Sequence, residues 1–140
     1  MSKAAVIYWS GTGNTEAMAN AVVEGAKAKG AEVSLFTADE FDASMLDALD
    51  AVAFGCPAMG AEVLEEDEFE PMFASCEGKL GGKRIALFGS YGWGDGEWMR
   101  SWEATAKSYG AHLEREGVIC ADAPDTAAKA ACEALGKALA

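Results

Sequence analysis

The chain has 140 residues, 51% of them apolar and 24% charged, which is enough for one domain with a single core. With 23 Asp and Glu against 11 Lys and Arg, its formal net charge is −12. That balance excludes a phosphate-neutralising nucleic-acid surface and equally a basic patch for an anionic membrane.

No apolar stretch approaches the ~20 residues of a membrane span. The start, MSKAAVIYWSG, has only a six-residue apolar run and no A-x-A site, so we expect no signal peptide and a cytoplasmic protein. Cys56, Cys76, Cys120 and Cys132 are scattered, without a C-x-x-C pair, and His112 is the sole histidine. Zinc and iron–sulfur sites need clustered ligands, so the expectation is free thiols in a reducing compartment and no metal.

The first strand is predicted over Lys3–Trp9, followed by a helix beginning near Asn14. On that helix Met18, Ala21, Val22 and Gly25 recur at i, i+3, i+4, i+7 and make a small-residue face able to lie close to a sheet. Further strands are expected at Glu32–Thr37, Ala51–Gly55, Arg84–Gly89 and near Leu113–Cys120. AVAFG and IALFG show no polar alternation, so both faces of the sheet should be covered. Trp98, Trp102, Ala106 and Tyr109 give a later helix a bulky face, with the two tryptophans assigned to the core, and Ala127–Leu139 reads as a terminal helix. Strands alternating with helices predict one α/β domain over 1–140, with a parallel sheet and right-handed crossovers.

Ligands of open parallel sheets bind beyond the carboxyl ends of the strands. Here the first strand is followed by SGTGNT, the third by CPAMGAE and the fourth by GSYGWGDG, all glycine-rich. In the first loop Gly11 and Gly13 let the backbone approach a ligand, Ser10, Thr12 and Thr15 add hydroxyls, and Asn14 adds an amide. At a helix N-terminus these suit a phosphate. The lysine of G-x-x-x-x-G-K-[ST] is missing, and Glu16 stands where G-x-G-x-x-G needs glycine, so neither nucleotide fingerprint is met. One terminal monophosphate held by neutral donors fits best; the competing reading is that Thr12 or Asn14 simply caps the helix.

Taken in order, SGTGNT, CPAMGAEVLEEDEFEP and GSYGWGDGEWM resemble the short-chain flavodoxins over essentially the whole chain. The resemblance implies a flavodoxin-like three-layer sandwich with a five-stranded parallel sheet ordered 2-1-3-4-5. It further implies a monomer that carries single electrons at low potential on one non-covalently bound FMN, through quinone, neutral semiquinone and hydroquinone states, and that can replace ferredoxin. It is then an electron-transfer protein rather than an enzyme.

By the same resemblance Met59 and Trp93 sandwich the flavin ring, and the Gly60 peptide flips on reduction to accept from N5–H. Glu62 accepts from the N3–H edge. Ala61 stands where many relatives carry a polar residue, and Pro57 where some carry a serine. Pro57, Ala58, Ser90, Tyr91, Gly92 and Gly94 complete the implied contacts. Trp9, one residue before the phosphate loop, is placed either to pack on it or to meet the flavin. Glu62, Glu65, Glu66, Asp67, Glu68 and Glu70 crowd after the flavin loop, where they either oppose added electrons and steer a basic redox partner or complement a helix start. Asp95 is assigned to the same docking surface.

Three other readings compete with this one. A flavodoxin-like NAD(P)H-dependent quinone reductase would need a dimer or inserted loops, and the chain shows no obvious insertion. A receiver domain needs paired aspartates after the first strand and one after the third, where YWSGTG and GCPAMG stand. A cofactor-free structural domain would be colourless.

Overall fold

Among the described residues, six strands and four α-helices place the three glycine-rich loops along one edge of a sheet. The computed structural model describes residues 2–140 apart from Ala61, Trp93 and Glu114. In chain order the elements are β1 (Lys3–Tyr8), α1 (Asn14–Ala28), β2 (Glu32–Thr37), β3 (Ala51–Gly55), α2 (Phe69–Ser75), β4 (Arg84–Tyr91), α3 (Glu97–Ser108), β5 (His112–Leu113), β6 (Val118–Ala121) and α4 (Thr126–Leu139). All strand pairs among them are parallel, in the order β2-β1-β3-β4-β5, with β6 also on β4.

The apolar runs behave as their composition requires. Every residue of β3 and the six central residues of β4 are buried, because helices cover both faces. Alternate side chains serve opposite cores. Ala4, Val6, Ala53 and Phe88 pack with Met18 and Val22 of α1 and Leu135 of α4. Ala5, Ile7, Phe54 and Leu87 pack with Phe69 and Phe73 of α2 and Trp98 and Trp102 of α3. In the second core, Trp102 meets Phe69 and Phe73 edge-on at 5.4 and 5.7 Å between centroids, the arrangement that aromatic quadrupoles favour.

Three expectations need correction. The fifth strand is divided, because Ile85 pairs Leu113 and Phe88 pairs Val118. Two residues separate Ile85 from Phe88 in β4 where four separate Leu113 from Val118, so the ladder breaks between those two pairs. Secondly, β1 stops at Tyr8, and β4 runs on to Tyr91 because β6 pairs it there. Thirdly, Gly25 meets a helix rather than the sheet. A Cβ on Gly25 would strike the Glu133 carbonyl of α4, and one on Gly136 would strike the Val22 carbonyl of α1. The two helices therefore touch backbone to backbone.

Among the described residues no helix is long and apolar enough to cross a membrane. They hold no cluster of His, Cys, Asp or Glu suited to a metal ion, and all four cysteines are free. Burial pushes the Cys56 and Cys132 thiols up to about 12 and Cys76 to about 11, which keeps them protonated.

Candidate functional site at the carboxyl edge of the sheet

The chain leaves β1 and β3 side by side, since Tyr8 pairs Gly55 and Gly55 pairs Phe88. β1 continues to one side of the sheet and β3 to the other, so this is the topological switch point where a crevice opens.

The first loop is built by Ser10. Its hydroxyl oxygen accepts from the N–H of Gly13 at 3.0 Å and of Glu16 at 3.3 Å. Neither Thr12 nor Asn14 caps α1; the cap position is Gly13, whose φ of 93° suits glycine and strains other residues. The N–H groups of Asn14 and Thr15, in the first helical turn, have no carbonyl within the helix to bond. Thr15 is buried, and its hydroxyl lies 3.0 Å from that of Ser90 at the end of β4.

The second loop is pinned to β4 by Cys56 N–H donating to Phe88 O at 3.1 Å and Ala58 N–H donating to Ser90 O at 3.0 Å. It then makes a tight turn, with Glu62 N–H donating to Met59 O at 2.7 Å and Met59 N–H to Val63 O at 2.9 Å. Gly60 is exposed, with open space where a Cβ would stand. The left-handed backbone of this turn falls on Glu62, at φ 53°. The Glu62 carboxylate packs against Gly94, and its Oε1 is buried without a hydrogen-bond donor.

Glu65 is not part of an acidic surface. It is 5% exposed, and its carboxylate accepts from Asp67, Glu68 and Phe69 N–H at 2.8–2.9 Å, satisfying the start of α2. Burial raises its pKa, but these three bonds outweigh that and hold it below the usual carboxylate range. Glu66, Asp67, Glu68 and Glu70 are exposed. In the third loop Asp95 and Glu97 share the Arg100 guanidinium at 3.0 and 2.7 Å, so the Asp95 charge is partly offset.

Between the loops lies a cleft of about 260 Å³. Gly11, Thr12 and Asn14 line one end, and Pro57, Ala58, Met59, Ser90, Tyr91 and Gly92 line the rest. Trp9 is a further wall, packing against Gly11 and donating its indole N–H to Glu68 Oε1 at 3.0 Å. Ser10 and Gly13 face an adjoining polar hollow that shares Trp9 and Gly11. Glu62 lines a groove against α3. Of the residues expected from the sequence, Ala61 and Trp93 lie outside the described residues.

One lining residue escaped the sequence reading. Asp122, at φ 56°, follows β6, and its N–H donates to Tyr91 O at 2.8 Å. Applying the strand-end rule to the segment after the fifth strand would have found it.

The model of the family described as Flavodoxin matches residues 6–135. Curated flavodoxins of Megasphaera elsdenii and Clostridium beijerinckii are each 43% identical over 135 residues, covering 96% of this chain and 96% and 97% of theirs. The solution structure of two-electron reduced Megasphaera elsdenii flavodoxin superposes with a TM-score of 0.88 at 42% identity, covering 97% of both chains. A flavodoxin from the domain Archaea gives a TM-score of 0.86 at 25% identity, over 98% of this chain and 95% of that one. Sheet order, loop placement and these likenesses agree, and the chain belongs to the flavodoxin family of FMN-based electron carriers.

Proposed function

We infer that the cleft at the carboxyl edge holds the FMN of this carrier, phosphate in the first loop and ring between the second and third. The observation that carries this placement is the convergence of three strand-end loops on one cleft. Two features fit the cofactor. The first loop offers hydroxyls and unspent helix N–H groups but no cation, which suits a single terminal phosphate. Glu62 Oε1 is a buried acceptor without a donor, and the N3–H edge of a flavin is a donor of that kind.

FMN, when bound, supplies the one-electron chemistry. The chain's residues bind, orient and shield it. Ser10 shapes the first loop, leaving Gly11, Thr12, Asn14 and Thr15 to meet the phosphate. Met59 and Tyr91 bring polarisable and aromatic surface to the cleft, and we assign Trp93 to the opposite face of the ring from Met59. The Gly60 peptide, unhindered by a Cβ, turns its carbonyl oxygen towards the ring nitrogen that gains a proton on reduction. Family membership favours this carrier over a quinone reductase.

As a carrier the protein exchanges electrons with redox partners. We assign their docking to the exposed acids Glu66, Asp67, Glu68 and Glu70, because a net charge of −12 attracts a basic partner. Asp95 contributes less, being paired with Arg100. A monomer in the cytoplasm completes the reading, in keeping with four free cysteines.

The test is the visible spectrum of the purified protein during stepwise anaerobic reduction. A yellow protein that passes through a long-wavelength blue band before bleaching supports one-electron transfer with the Gly60 switch. A protein that stays colourless after FMN is added overturns the assignment of the cleft.

A further inference from the structure

Ser90 reaches across the site in two directions. Its carbonyl accepts from Ala58 N–H of the second loop at 3.0 Å, and its hydroxyl lies 3.0 Å from the Thr15 hydroxyl, 75 positions away on the first turn of α1. Ser90 is 5% and Thr15 1% exposed, so bulk water does not compete for this contact. One residue at the end of β4 thereby ties together the loops that hold the two ends of the cofactor.

Each hydroxyl has one proton, and only one proton can lie along the line between the two oxygens. If Thr15 donates to Ser90, Thr15 has no hydroxyl proton left for a ligand. If Ser90 donates to Thr15, the Thr15 proton is free, and its oxygen, polarised by the incoming bond, donates outward more strongly. Thr15 also carries one of the first-turn N–H groups that a helix leaves unbonded. An anion beside this helix N-terminus favours the arrangement that turns both Thr15 donors towards it.

We propose that Ser90 is a positioning residue for the phosphate end of the cofactor: its hydroxyl donates to Thr15 Oγ1 and so directs the Thr15 hydroxyl proton to the phosphate. The role rests on the placement of FMN in the cleft, and it is specific to the phosphate, which riboflavin lacks.

The test compares dissociation constants for FMN and riboflavin in the wild-type protein, Ser90→Ala, Thr15→Val and the double variant. Ser90→Ala is expected to weaken FMN about fivefold and leave riboflavin within about twofold. The double variant should bind FMN within about twofold of Thr15→Val alone, because the two residues act as one unit. Ser90→Cys keeps the side-chain size with a weaker donor, and should lose less FMN affinity than Ser90→Ala. Equal losses for FMN and riboflavin, additive losses in the double variant, or a Cys variant no better than Ala would each overturn the role of Ser90. Wild-type protein that binds neither ligand would instead remove the placement of FMN itself.

Discussion

The indole N–H of Trp9 donates to Glu68 Oε1 at 3.0 Å, joining residues 59 positions apart. Glu68 in turn donates its backbone N–H to Glu65 Oε1 at 2.8 Å. A wall of the cleft is thus moored to the capped start of α2, by an acid expected either to face the flavin and a redox partner or to complement a helix start.

Glu68→Ala frees the Trp9 ring. The bond is exposed and water can replace part of it, so the loss should be about 0.5–1 kcal/mol, roughly a two- to fivefold weaker FMN. Glu68→Gln keeps an acceptor and should retain most of the affinity. Titrating FMN by the quenching of its fluorescence gives both values, and an unchanged affinity in Glu68→Ala would show that Trp9 needs no mooring.

Gly60→Ala adds a methyl group where nothing lies within 4 Å and where φ is not left-handed, so oxidised FMN should bind as in the wild type. What the Cβ hinders is the turned peptide. Losing one hydrogen bond of about 1 kcal/mol lowers the first one-electron potential by roughly 40 mV. Potentiometric titration with a low-potential dye reads the shift; equal potentials in both proteins would mean that the peptide does not turn.

Glu65 carries a pH dependence whose sign is fixed by its surroundings. Its folded-state pKa lies below the unfolded one, so its stabilisation is present above the ordinary carboxylate range and is lost as pH falls through the folded value. Removing the cap with Glu65→Ala should cost about 1 kcal/mol at neutral pH, and the difference from wild type should shrink in acid. Urea unfolding at neutral pH and in the acid range measures this, and a difference that grew in acid would contradict the cap.

Gly25→Ala and Gly136→Ala each place a methyl group against backbone carbonyl on the opposite helix. Backbone cannot rotate away as a side chain can, so α1 and α4 must separate, at about 1–3 kcal/mol for each substitution. Denaturant midpoints should fall in both variants, and the double variant should lose less than the sum, because once the helices have parted the second methyl group finds room. A strictly additive pair would indicate that each site relaxes alone.

Much of this was readable from local pattern. AVAFG and IALFG announced strands covered on both faces, and SGTGNT announced a bend feeding a helix, because those signals lie within a few residues of one another. Contacts that join distant segments left no such mark. Nothing around Glu65 separated it from Glu66, since its role depends on being folded inward over α2. The Thr15–Ser90 pair, the Trp9–Glu68 bond and the Gly25–Gly136 contact depend equally on tertiary placement. The divided fifth strand was hidden for another reason: LEREGVIC has apolar ends, and only pairing against β4 shows that the ends belong to different rungs.

The backbone contact between α1 and α4 also sets an order in time. A ribosome delivers SGTGNT well before Gly136, so the first loop emerges before the helix that packs against α1. Until Gly136 has emerged, α1 has only the sheet to lean on, with the face that α4 covers open to water. The rear of the helix that follows the first loop is therefore closed only by a segment far along the chain.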